Sequence, residues 1–143
     1  MLSPKTILHP NDCTKHAENA FHIASALAKF YDAHLILLYV KAPQETVAGE
    51  FGTVPPEPEP TDDEYLEQLQ QLAASDTALK AECLVAEGIP VNEILEAAQE
   101  AKCDLIVLGS HAHSWFGRLM TSDIAEKVAN KASCPVVTVR DPG

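Results

Sequence analysis

Two unbroken runs of aliphatic residues, Leu35–Leu38 and Leu105–Leu108, constrain this chain more than anything else in it. A strand with one wet face alternates apolar and polar residues, so an uninterrupted run needs apolar neighbours on both faces. A parallel sheet covered by helices on both sides supplies them. Helical periodicity does lie between the candidate strands. From His16 to Tyr31, residues Ala17, Ala20, Phe21, Ala24, Leu27, Ala28 and Tyr31 recur at three- and four-residue steps. That spacing predicts a helix with one buried face, and it assigns Glu18, His22, Ser25 and Lys29 to the solvent face.

The remaining segments alternate in the same way. Thr6 to His9 reads as a first strand ended by Pro10, and Asn11 to Thr14 as a turn with Thr14 as N-cap. Ala33 to Val40 is a second strand, ended by Pro43. Thr61 caps a second helix, with Glu64 three residues on as a capping box and Tyr65, Leu66, Leu69, Leu72 and Ala73 as its inner residues. Leu79 to Ala86 is a third strand, and Gly88-Ile89-Pro90 turns the chain into a helix that buries Ile94, Leu95, Ala98 and Ala101. The strand at Leu105 leads to a helix over about Asp123 to Ala132, then a last strand from Cys134 to Arg140. One segment differs. Residues 44–60 hold Gly49, Gly52 and VPPEPEP, which reads as a mobile Pro-rich loop, either an inert linker or a flap beside a pocket.

The order βαβαβαβαβ, without a repeat or a second composition zone, predicts a single α/β domain over residues 1–143. Its core is an open five-stranded parallel sheet with helices on both faces and right-handed crossovers. Ligands in such sheets sit beyond the carboxyl ends of the strands, where strand order reverses. The ends available are His9 to Asp12, Tyr39 to Lys41, Ala86 to Gly88 and Gly109 to His111.

Charge narrows the partners. A formal net charge of -11 leaves no basic face for a nucleic acid or an anionic membrane surface. The four cysteines form no CxxC and read as small buried apolar residues of a cytoplasmic protein. The N-terminus MLSPKTILHP has no apolar signal region, and no apolar run approaches the roughly 20 residues of a membrane helix.

The chemistry-bearing stretch is Leu105 to Asp123, LIVLGSHAHSWFGRLMTSD. A buried strand, a glycine and a helix start in that order can hold an anion on free backbone N–H groups. No GxxxxGK[ST] loop and no GxSxG elbow occurs, and no nucleophile has an evident base, so the expectation is a protein that is not an enzyme. His111 and His113 would need a third ligand such as Asp123 or His9, and no metal site is expected.

Taken together, several pieces resemble the universal stress protein family across nearly the whole chain. They are Ile7 to Asp12, Gly88-Ile89-Pro90, Cys103 to His111, Ala125 to Val128, and Cys134 to Arg140. The resemblance implies strand order 3-2-1-4-5. It also implies a possible adenine nucleotide, with no cofactor certain. In nucleotide-binding members an Asp after the first strand meets the adenine side and a Val at the end of the second lines the base. Here Pro10, Asn11, Asp12 and Val40 stand in those places. Asp12 also suits a turn on its own account.

The family's phosphate pattern is Gly, two residues, Gly, nine residues, then Gly and Ser or Thr. This chain carries Gly109, Ala112, Ser122 and Asp123 there, with His111 between the first two. Ala112 loses free access to positive φ. Asp123, with Glu126 three residues on, caps the helix but opposes a phosphate for the same N–H groups. A divalent cation could reverse that opposition. WFGRLMTS resembles the branch that lacks the phosphate motif; Trp115 and Phe116 either pack the loop onto the sheet or fill space a nucleotide would occupy, and Arg118 pairs with a phosphate or an acidic neighbour. His9 replaces a usual aliphatic, as a buried hydrogen-bonded residue or a pocket liner. The resemblance further implies a homodimer through residues 136–139 and an unidentified protein partner. The expected function is a stress-response binding or signalling module with weakened or lost ATP binding. The alternative is a sensor of AMP, ADP or metal–ATP in the same pocket, and slow ATP hydrolysis is a third reading.

Overall fold

The computed structural model describes residues 3–41, 47–49, 52–54, 60–110 and 123–140. Five parallel strands form the main sheet: β1 (Thr6–Pro10), β2 (His34–Lys41), β5 (Lys80–Glu87), β6 (Leu105–Gly109) and β7 (Val136–Val139). Their order is β5-β2-β1-β6-β7, which is 3-2-1-4-5 counted along the chain. The strand order therefore reverses between β1 and β6 (β1 lies between β2 and β6).

Both faces are covered, which accounts for the unbroken apolar runs. Ile7, Leu35, Leu37, Leu105 and Val107 pack on one face with Phe21, Ala24 and Ala28 of α1 (Glu18–Tyr31) and with Tyr65 and Leu69 of α2 (Asp62–Ala74). Leu8, Ile36, Leu38, Ile106 and Leu108 pack on the other with Val91 and Ile94 of α3 (Pro90–Glu100) and with Ile124 and Val128 of α4 (Asp123–Lys131). Alternate residues of one strand thus feed two separate cores. Full burial of each such side chain contributes roughly 1.5–3 kcal/mol.

The local signals act where the sequence places them. Thr61 Oγ1 accepts the Glu64 backbone N–H at 3.2 Å, the first half of the capping box. Pro90 occupies the first turn of α3, where its missing N–H costs nothing. Gly88 sits at φ +150°, and a Cβ there would lie 2.5 Å from Glu93 Oε1.

Four expectations need correction. The first helix opens with a 3-10 turn at Lys15–Ala17, and Thr14 makes no side-chain cap bond to it; its hydroxyl donates instead to Asp12. Ser25 is buried, not on the solvent face, and its Oγ has no partner among the described residues. Within 44–60 lies an antiparallel hairpin, β3 (Val47–Gly49) with β4 (Gly52–Val54), not only loop. The prolines of this segment begin at Pro55, so they leave Val47 to Val54 free to pair. Finally, Cys13, Cys83, Cys103 and Cys134 are free and only partly buried.

Candidate functional site

Two strand ends meet at the reversal point. The paired register of β1 with β6 covers Ile7↔Leu105 and Leu8↔Ile106. Beyond it a side chain takes over. His9, fully buried at the next position of β1, places Nδ1 2.9 Å from the Val107 carbonyl oxygen. Its ring also lies 6.1 Å from that of Phe21 on α1. The second ring nitrogen, Nε2, is 3.1 Å from Asn11 Nδ2, and Asn11 Oδ1 accepts the Cys13 backbone N–H at 2.8 Å.

Two overlapping side-chain turns shape the segment after β1. Asn11 bonds the N–H two residues on, and Asp12 does the same to Thr14 at 2.9 Å. The Thr14 hydroxyl donates a second bond to the same Asp12 oxygen at 2.5 Å. Cys13 adopts φ 62° between them, a conformation that L-residues adopt at some cost. The turn reading of Asp12 therefore holds, and the residue is nevertheless nearly buried at the carboxyl end of the central strand.

Electrostatics follow from burial. Desolvation pushes the His9 imidazolium down to about 4, against a smaller opposing effect of the Val107 carbonyl and Asp12. The ring is neutral at pH 7. Burial pushes the Cys13 thiol up to about 11, helped by Asp12 and Cys83, so it is a poor nucleophile.

The structure brings Pro10, Asn11 and Asp12 to the end of β1 and Gly109 to the end of β6, on adjacent strands. Val40, at the end of β2, is fully buried in the core under α3 and α4. Asp123 opens α4, as the sequence indicated. His111, Ala112 and Ser122 lie outside the described residues. Gly109 is not held by its backbone conformation or by its described neighbours. Its φ is not positive, and among the described residues an added Cβ would meet nothing closer than Ala20 Cβ at 3.8 Å. None of those residues requires a glycine there.

Among the described residues no cluster of three or more His, Cys, Asp or Glu could hold a metal ion. A cleft of about 380 Å³ runs between α1 and α2, with Asn11, Cys13 and Thr14 at one end and Gln68, Gln71 and Ser75 along α2. Of the two roles open to His9, the hydrogen-bonded one is realised. The Asn11–His9 link is not evident in the sequence, although Asn directly after a strand is a turn-former that bonds the N–H two residues on.

Comparison with known proteins agrees with this arrangement. The sequence model of the universal stress protein family matches residues 4–140. This chain belongs to the universal stress protein family. A universal stress protein of Thermus aquaticus is 33% identical over 140 residues, covering 95% of this chain and 98% of that one. The universal stress protein MJ0531 of Methanocaldococcus jannaschii is 30% identical, over 96% and 83% of the two chains. Among solved structures, universal stress protein UspA of Lactobacillus plantarum superposes with a TM-score of 0.71 at 25% identity, covering 98% and 100% of the chains. A universal stress protein in complex with cAMP gives the same TM-score at 24% identity, over 98% and 99%. The family fold thus accounts for the sheet order.

Proposed function

We propose that this protein is a stress-response binding or signalling module. In this reading its crevice between β1 and β6 takes the adenosine part of an adenine nucleotide and grips phosphates weakly. The observation that carries the reading is the Asp12 turn, fixed at the carboxyl end of β1, next to the strand that ends in Gly109, at the point where strand order reverses. Ala112, Ser122 and Asp123 stand where the phosphate grip requires Gly, Gly and a hydroxyl residue.

A second reading, a sensor of a nucleoside monophosphate, draws on two relatives. One universal stress protein has been solved with cAMP and one from Archaeoglobus fulgidus with dAMP. A monophosphate asks least of the altered phosphate end. Calorimetry with AMP, ATP and Mg-ATP separates the readings, and native mass spectrometry reports any nucleotide retained on purification. AMP binding with ATP weaker supports the monophosphate sensor, and no binding of either overturns the nucleotide part of both readings and leaves a binding module alone. Micromolar Mg-ATP binding overturns both. Asp123→Ser strengthens ATP binding if the carboxylate is the obstacle, and weakens Mg-ATP binding if it ligates the metal. No turnover is expected. Phosphate release that survives rigorous purification and is lost in Asp12→Ala would establish the slow-hydrolysis reading instead.

The same proposal includes a cytoplasmic homodimer that meets at β7. Pro135 and Val139 carbonyls bond β6, which turns the backbone of Val136 and Thr138 to the open edge. α1, which packs against β7, exposes Ile23 (42%) and Phe30 (80%) on the flank away from the Lys29–Asp76 ion pair that ties α1 to the end of α2. An open strand edge and exposed apolar side chains suit a second copy.

A further inference from the structure

The site holds one feature that the nucleotide reading does not use: a line of hydrogen bonds whose direction is fixed at both ends. At one end the Val107 carbonyl can only accept. At the other end the Cys13 N–H can only donate. Asn11 must therefore turn its oxygen to Cys13 and its NH2 to His9. His9 must then accept at Nε2 and donate from Nδ1. Only one tautomer and one amide orientation satisfy all three bonds. A proton on Nε2 would face the Asn11 NH2, and turning the amide round would set that NH2 against the Cys13 N–H instead.

We propose that His9 is the positioning residue of this site: through Asn11 it holds the Asp12 turn in its ligand-ready shape and ties that turn to β6. The proposal rests on the adenosine-side reading of Asp12 given above. Three observations carry it. The paired register of β1 and β6 stops at Leu8↔Ile106, so the imidazole replaces the backbone ladder where the crevice opens. Cys13 sits at φ 62°, a conformation that needs the Asn11 bond to offset its cost. Asp12 lies between the two residues that this line fixes, so its direction follows from theirs. A buried aliphatic residue at position 9 would fill the same space and supply neither bond.

The test compares His9→Leu, which keeps an apolar filling, with His9→Gln, which keeps one donor and one acceptor. Amide hydrogen exchange by NMR and AMP titration are read on both variants and on the unaltered protein. Loss of the line is expected to speed exchange at Cys13 and Thr14 about tenfold in His9→Leu, while Ile7 and Leu37 stay protected. AMP affinity is expected to fall by a similar factor, and His9→Gln to restore most of both. Unchanged Cys13 and Thr14 exchange in His9→Leu overturns the proposal, as does a Gln variant no better than Leu. If neither variant folds, the nitrogen shifts of His9 in the unaltered protein decide: a proton on Nδ1 supports the line and a proton on Nε2 overturns it. Failure of the unaltered protein to bind AMP overturns the nucleotide reading, and the exchange data then decide whether His9 holds the turn.

Discussion

His9 gives up its charge on folding chiefly because burial desolvates the ring; the Asn11 NH2 at Nε2 suits only the neutral form, while the Val107 carbonyl and Asp12 oppose the change more weakly. Its folded value near 4 lies below the ordinary 6.5. Between those values the unfolded chain binds a proton there that the folded chain does not. Stability from this residue is therefore complete above about pH 6.5 and is lost as pH falls toward 4, by up to about 3 kcal/mol. Urea unfolding at about pH 7 and about pH 5 should show about 2 kcal/mol of that loss in the unaltered protein and a flatter profile in His9→Gln. Gly88 gives a second prediction. Gly88→Ala forces a side chain onto φ +150° and against Glu93, at a cost of about 2 kcal/mol in urea unfolding. Adding Glu93→Ala should recover the part due to the clash and leave the backbone part. The turn at Gly88 could be read from Gly88-Ile89-Pro90 alone. The burial of Ser25 could not, because helical periodicity groups it with the polar residues and does not show how wide the buried face of α1 is.

β7 decides the oligomer prediction at the scale of elements. Thr138→Pro removes a donor from the open edge and no bond to β6. Phe30→Asp charges the exposed flank of α1. Either should convert a dimer to a monomer in light scattering without loss of helical signal, and a persistent dimer in both would place the interface elsewhere. The five strands of the main sheet and the four helices on it were legible because each carries its own period and its own stop. The β3–β4 hairpin was not, since three residues on each side give too short an alternation, and the neighbouring prolines dominate the composition. The end of β1 was half legible. A histidine in an apolar strand announces a partner, but the partner, a carbonyl 98 residues away, comes only from folding.

For the whole molecule, parallel order and two-sided burial followed from two aliphatic runs, and the reversal point followed from the order. The electrostatics of binding also belong to this scale. With a net charge of -11, any anionic ligand approaches against the field of the protein. Raising salt from about 0.02 M to about 0.2 M should strengthen AMP binding by about twofold to fivefold, the reverse of the trend for nucleic-acid binders. Gly109 then separates folding from use. Selection of a library varied at this position for folded, soluble protein should return alanine and serine beside glycine, because none of the described residues comes closer than 3.8 Å to an added methyl group. Selection of the same library for retained nucleotide should return glycine alone. The gap between those two enrichments measures, variant by variant, how much of the crevice belongs to the ligand.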